Sequence, residues 1–254
     1  MAKVPVLVIS GMHRSASSVA AATLQAAGLA IGERLMGPYP GNPSGHFEDL
    51  DFVEIHQQAL RALGLPEDGL IAEGAPLALP ESSIRAAEVC IAARRAANRP
   101  WGFKDPRTTL FLNSWHVLLP EAYWLFLFRD PFLVLDSLRR RGDAIALESP
   151  NEALGSWVHY NSLILDFATQ HWQQTLLCEI GTGETALPTL VATISARFGL
   201  DPTNTPAVYK PTLLSKTGVI PPEVRPYLRA EATELYGQLR ALALVPGSPP
   251  APGL

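Results

Sequence analysis

The chain has 254 residues, 47% of them apolar and 17% charged, and a formal net charge of −4. That length fits one large α/β domain or two small ones, with enough apolar side chains for a sizeable core. The negative balance excludes a dedicated nucleic-acid binder, which would present a basic face, and no stretch reaches the ~18 apolar residues of a membrane span.

The first nine residues hold one lysine and a short apolar run, too little for a secretory signal, so a soluble cytoplasmic protein is expected. Residues 4–9 are apolar and β-branched without polar alternation, which predicts a strand buried on both faces of a parallel sheet. A polar turn at 10–15 follows, then a helix over 19–27 stopped by Gly28. Strand, polar loop and helix in that order open a nucleotide-type α/β fold. Residues 32–49, rich in Gly, Pro and Asn, predict a loop, and a helix pattern runs from Leu50 through Leu63. A Gly/Pro-rich connection at 64–80 leads to a helix at 81–98, with Ala86, Val89, Cys90 and Ala93 on its apolar face.

A short strand at 101–104, a helix at 106–119 and an apolar strand at 123–128 come next. Pro131 stands at the first position of a helix that runs to Arg141, where proline is tolerated. A long amphipathic helix at 152–172, a strand at 175–180, a helix at 186–198 and a final helix at about 223–242 complete the pattern. The Pro/Gly-rich tail, 245–254, predicts disorder and leaves residues 1–244 as one domain. Strands alternating with helices predict a single α/β domain with a central parallel sheet flanked by helices. Cys90 and Cys178 lack metal-site spacing and read as buried thiols, and no metal is expected. His56, His116, Trp115 and Trp124 read as structural.

Two segments carry chemistry. Gly11-Met12-His13-Arg14-Ser15-Ala16-Ser17-Ser18 lies between a buried strand and a helix start. Backbone N–H groups there lack intrahelical partners and favour an anion. Arg14 adds a guanidinium suited to phosphate, and Ser15, Ser17 and Ser18 add hydroxyls. The Walker pattern is absent, since no lysine precedes the serines. The alternative is a plain connection with Ser17 as the helix cap. At mid-chain, an apolar strand delivers Arg129 at its carboxyl end, followed by Asp130, Pro131 and, eight positions after the arginine, Ser137. Open α/β sheets place ligands at that edge.

Together the segments resemble the donor-binding signatures of sulfotransferases that use 3′-phosphoadenosine 5′-phosphosulfate (PAPS). In that family a loop of type [KR]-S-G-T-[ST] grips the 5′-phosphosulfate, and Arg-[DN]-Pro with a serine eight residues after the arginine grips the 3′-phosphate. The resemblance covers about residues 4–200, including Phe198-Gly199-Leu200 at a helix end. It lies closer to the carbohydrate and tyrosylprotein enzymes than to the cytosolic small-molecule ones. It implies a P-loop-like fold, PAPS as donor and 3′-phosphoadenosine 5′-phosphate (PAP) as product. A small-molecule or carbohydrate acceptor is also implied. Ala16 stands where the family has glycine, so a positive φ there would strain the loop.

The resemblance also assigns roles. Lys104, in a Lys-Asp-Pro run, would bridge the leaving and transferring oxygens; otherwise it pairs with Asp105 at the surface. Arg107 would reach the same anion or decorate a helix start. The loop around Glu48 and His46 supplies candidate bases, with Asp49 the fitting cap for the helix at Leu50. Lys216-Thr217-Gly218 is loosely similar to the start of a further family signature. Competing readings are a P-loop-type kinase of small molecules and a non-catalytic PAP- or nucleotide-binding relative.

Overall fold

The computed structural model describes residues 4–38, 45–181, 187–204 and 230–243. The described strands are β1 (Val6–Ser10), β2 (Trp101–Lys104), β3 (Tyr123–Phe128) and β4 (Thr175–Glu179). All pair in parallel, in the order β2-β1-β3-β4. Alternate residues serve opposite faces, which explains the unbroken apolar runs. Val6, Val8, Phe103, Trp124, Phe126 and Phe128 enter one core, and Leu7, Ile9, Leu125 and Leu127 enter the other.

The second core is closed by α1 (Ser17–Ala26) and α8 (Leu187–Phe198). The first is closed by α2 (Leu50–Ala62), α3 (Glu81–Ala96), α4 (Leu112–Leu118), α5 (Pro131–Arg141), α7 (Pro150–Gln170) and α9 (Ala230–Leu242). This is the expected α/β sandwich. The chain steps from β1 to β2 on one side and then returns to β3 on the other side of β1. That reversal makes a crevice beyond the carboxyl ends of β1 and β3, where open α/β sheets take ligands.

Three local expectations need correction. The buried stripe of α3 is Ser83, Ala87 and Ile91; Val89 and Ala93 are exposed, and Ala86 and Cys90 only flank the stripe. Arg94 explains the rotation, since its Nη2 reaches Asp49 and Asp51 at 2.7 and 2.6 Å. The helix expected at 106–119 opens as a tighter 3₁₀ turn, Pro106–Phe111, before α4. There Ser10 Oγ donates to the carbonyls of Asp105 and Pro106 at 2.9 and 3.2 Å, holding both outside a regular helical ladder. A five-residue helix, α6 (Ala144–Glu148), was too short to leave a period in the sequence. The tail and Lys216-Thr217-Gly218 lie outside the described residues, as does the expected helix start near 223.

The β1–α1 connection is tight on both sides. At Gly11, with φ +139°, a Cβ would fall 2.1 Å from the carbonyl oxygen of Leu127, so only glycine lets β1 leave the sheet there. Ala16, not Ser17, is the cap residue of α1, and no side chain caps this helix. Ala16 has φ 61° and ψ 21°, the left-handed conformation that the sequence departure put in question. An L-residue held there pays about 1–2 kcal/mol, of which glycine's greater unfolded-chain freedom returns a part. Ala16→Gly should therefore stabilise the chain by about 0.5–1 kcal/mol, raising Tm by a few degrees. A melting curve with no rise in Tm would show that the loop carries no strain at this position.

Candidate active site

Each predicted site residue lies beyond the carboxyl end of β1, β2 or β3, or on a segment folded against that edge. Arg14 is itself left-handed, with φ 67°, so two of three successive residues curl the connection ahead of α1. Such curvature turns backbone N–H groups toward one point. The first turn of α1 has no acidic residue, and its leading N–H groups have no intrahelical acceptor. Ser15 is fully buried, and its Oγ has no hydrogen-bond partner among the described residues. His13 turns to the 64–80 connection, where its Nε2 donates to the carbonyl of Asp68 at 2.9 Å. Burial and the charge of Arg107 hold the pKa of His13 well below that of free imidazole.

The mid-chain segment meets this loop directly. Asp130 caps α5 by accepting from the backbone N–H groups of Phe132 and Leu133 at 2.9 and 3.1 Å. Arg129 is buried, and its carbonyl accepts from Trp157 Nε1 of α7 at 3.0 Å, which locks the turn after β3. Two turns along α5, Ser137 Oγ accepts from Arg14 Nε at 2.9 Å. Residues 123 positions apart in sequence thus share one hydrogen bond, which brings the two segments together.

Burial lowers the pKa of Arg14 to about 10, helped by the charges of Arg141, Arg129 and Arg140 and opposed by Asp143. Guanidinium groups crowd around Arg14, although Arg141 pairs with Asp143 and Arg140 with Asp136, each at 2.8 Å. Arg141 had no part in the sequence reading. Its position four residues after Ser137, one turn along the same helix face, was the available signal.

The third group of residues stands beside β2. Lys104, the last residue of β2, is buried and not a surface lysine. Its Nζ donates to Glu48 Oε1 at 2.6 Å, the carbonyl of His46 at 3.3 Å and Ser18 Oγ at 3.4 Å. The loop that carries Glu48 is held by pairing with residues 34–36: Met36 N donates to the Glu48 carbonyl at 2.7 Å and Leu50 N to that of Arg34 at 2.8 Å. Phe47, left-handed at φ 55°, is partly buried and packs against the α1–α8 core. Asp49 caps α2 through Asp51 N at 3.2 Å. His46 Nδ1 lies 3.9 Å from Glu48 Oε1. Burial lowers the His46 pKa, with the carboxylate of Glu48 opposing.

Behind Glu48 and Lys104 lies a chain of buried polar contacts that the spacing of residues did not reveal. Arg107 Nη1 is 3.6 Å from Glu48 Oε2 and 2.9 Å from Asp105 Oδ1, and its Nε donates to the carbonyl of Glu67 at 2.8 Å. Asp105 Oδ2 accepts from His56 Nδ1 at 3.0 Å, while Trp115 Nε1 donates to His56 Nε2 at 2.8 Å. That second bond fixes the tautomer, with the His56 proton on Nδ1. His56 and Trp115 are structural, as expected, and they serve this site.

Burial by itself would raise the Asp105 pKa, but the Arg107 charge and the His56 hydrogen bond outweigh it. The carboxyl is held well below the usual carboxylate range. A depressed native pKa gives stability that is present above the unfolded value, near 4, and lost as pH falls. Asp105→Asn should therefore destabilise the chain by about 3–5 kcal/mol at neutral pH. Urea melts should show that deficit intact above about pH 5 and narrowing as pH drops toward 3. A deficit independent of pH would refute the charged role of Asp105.

The sequence matches no protein-family model and no curated protein. Solved structures do match. A sulfotransferase domain from the curacin biosynthetic pathway is 16% identical with a TM-score of 0.52, over 96% of this chain and 100% of that one. A sulfotransferase domain from the Synechococcus PCC 7002 olefin synthase is 17% identical with a TM-score of 0.43, over 96% of this chain and 89% of that one. Sulfotransferase STF1 from Mycobacterium tuberculosis H37Rv is 12% identical with a TM-score of 0.40, over 92% and 71%. The last two superpose too loosely to bear on the argument. The first spans both chains almost end to end, and with the parallel sheet and its crevice it places this chain in the sulfotransferase fold.

Proposed function

We propose that the chain transfers a sulfuryl group from PAPS to a hydroxyl or amine of an acceptor, with carbohydrate as the acceptor class that the sequence resemblance suggests. The observation that carries this reading is the 2.9 Å bond from Arg14 to Ser137. It joins two anion-binding segments at the topological switch point, an arrangement suited to a ligand with phosphate groups on both sides of one ribose. The positive charge around Arg14, the uncapped start of α1 and the buried Ser15 hydroxyl all fit that ligand.

In this reading Arg14, Ser15, Ser17, Ser18 and the first N–H groups of α1 hold the 5′ end, with Gly11 and Ala16 shaping the loop and His13 bracing it from the 64–80 connection. Arg129, Ser137 and Arg141 hold the 3′-phosphate. When bound, the donor supplies an activated sulfuryl group on a phosphate leaving group. Transfer of this kind depends mainly on alignment and on stabilising charge at the departing oxygen. Arg14 and Lys104 are the cations placed for that task. Glu48, with His46 beside it, is the base that accepts the acceptor's proton. Neither residue needs a metal for these roles.

Binding of PAP, AMP and magnesium-ATP can be compared by calorimetry. PAP should bind the wild-type chain more tightly than either of the others. Arg129→Ala should weaken PAP by about 10- to 100-fold, the worth of a charge-assisted hydrogen bond, and leave AMP nearly unchanged. Equal losses for PAP and AMP would remove the 3′-phosphate assignment. Preference for magnesium-ATP would replace the sulfotransferase reading with that of a kinase.

A further inference from the structure

Lys104 belongs to two segments at once. An ammonium offers three donors, and here one short bond goes to Glu48 and two long ones go to the His46 carbonyl and Ser18 Oγ. Ser18 lies in the first turn of α1, on the donor side, whereas His46 and Glu48 lie on the loop that supplies the base. The Lys104 and Glu48 side chains are only 3% and 5% exposed, so water does not stand in for either partner. In this arrangement Glu48 Oε1 is already committed to Lys104. An ammonium held this close competes with any proton that the carboxylate would take up at that oxygen.

We infer that Lys104 is an exchangeable partner: the sulfuryl end of the donor draws its ammonium away from Glu48, and donor binding thereby releases the base. This rests on the donor assignment above. Separating a buried ion pair without replacement is strongly unfavourable, so an incoming anion is required for the exchange. The sulfuryl group brings that anion to the side where Nζ already reaches Ser18. Glu48 does not lose all its compensation, because Arg107 Nη1 stands 3.6 Å from Oε2. Arg107 is fixed in place by Asp105 and by the Glu67 carbonyl, so it stays when Lys104 turns. The base is thus tied up before the donor arrives and freed, still held in position, once it is bound.

Coupling of this kind is reciprocal. If the donor pulls Lys104 from Glu48, Glu48 must oppose the donor, and only a ligand with a sulfuryl group should feel that opposition in full. The test is calorimetric titration of PAP and PAPS into the full chain as wild type, Glu48→Gln, Lys104→Met and the double variant. Glu48→Gln should tighten PAPS about tenfold and change PAP less than about twofold. In the Lys104→Met background the same substitution should alter neither ligand selectively.

Equal effects on PAP and PAPS, no tightening of PAPS, or a selective effect that survives Lys104→Met would each overturn the exchange while leaving the donor assignment standing. Failure of the wild type to bind either nucleotide would overturn the donor assignment and the exchange with it. Should Glu48→Gln not fold, Glu48→Asp serves in its place. It keeps the charge but draws it back from Nζ, and the expected selectivity has the same sign and a smaller size.

Discussion

A carboxylate with no access to water must find charge and hydrogen bonds inside the protein, and Asp105 meets that demand by gathering several elements of the fold around itself. Its side chain takes Arg107 and His56, and through His56 it takes Trp115 of α4. Its backbone is bound as firmly: the carbonyl accepts from Ser10 Oγ, and the N–H donates to the Ile9 carbonyl at 3.3 Å. The ends of β1 and β2 are therefore tied at the same residue that orients Arg107. Because Lys104 precedes Asp105 and Arg107 follows it by two, the demand of one buried carboxylate sets where both cations stand relative to Glu48.

The cleft itself is assembled against its own stability. Burial lowers the pKa of Arg14, and the charges of Arg141, Arg129 and Arg140 lower it further, with Asp143 opposing. Arg14 and Ala16 both occupy left-handed conformations. Like charges and backbone strain of this sort cluster at functional sites, where the rest of the fold must over-determine them. Gly11 against Leu127, Trp157 against Arg129 and the paired strands of the sheet provide that determination. A bound anion would relieve the repulsion but not the strain, so the two terms can be separated by experiment.

Much of this was legible in the sequence wherever a local rule decided the outcome. The runs Val6–Ser10 and Tyr123–Phe128 are buried on both faces and lack polar alternation for that reason. Pro131 after Asp130 marks the start of α5 to the residue, because the cap and the proline act within one turn. The loop from Gly11 to Ser18 and the spacing from Arg129 to Ser137 are likewise short-range patterns. Sequence reading failed where a distant partner decided. The rotation of α3 follows Arg94 reaching Asp49 and Asp51, and the 3₁₀ turn follows Ser10. Lys104 was expected beside Asp105 or an anion, but it pairs with Glu48, 56 positions earlier. No periodicity encodes such a contact. Only the parallel register of β1 and β2, and the loop pinned to residues 34–36, bring the two together.

That placement bears on the proposed coupling of donor and base. The loop that carries Arg14 leaves β1, the segment that carries Arg129 leaves β3, and Lys104 ends β2, so the adjacent carboxyl ends of a single sheet hold all three. Arg14 joins β1 to β3 through Ser137, and Lys104 joins β2 to β1 through Ser18. Glu48 alone comes from outside the sheet, and its short contact to the sheet edge is with Lys104. A group held mainly by one ionic partner responds most to whatever competes for that partner. In the proposed reading, the strands set the donor site rigidly, while the base hangs on the cation that the donor would claim.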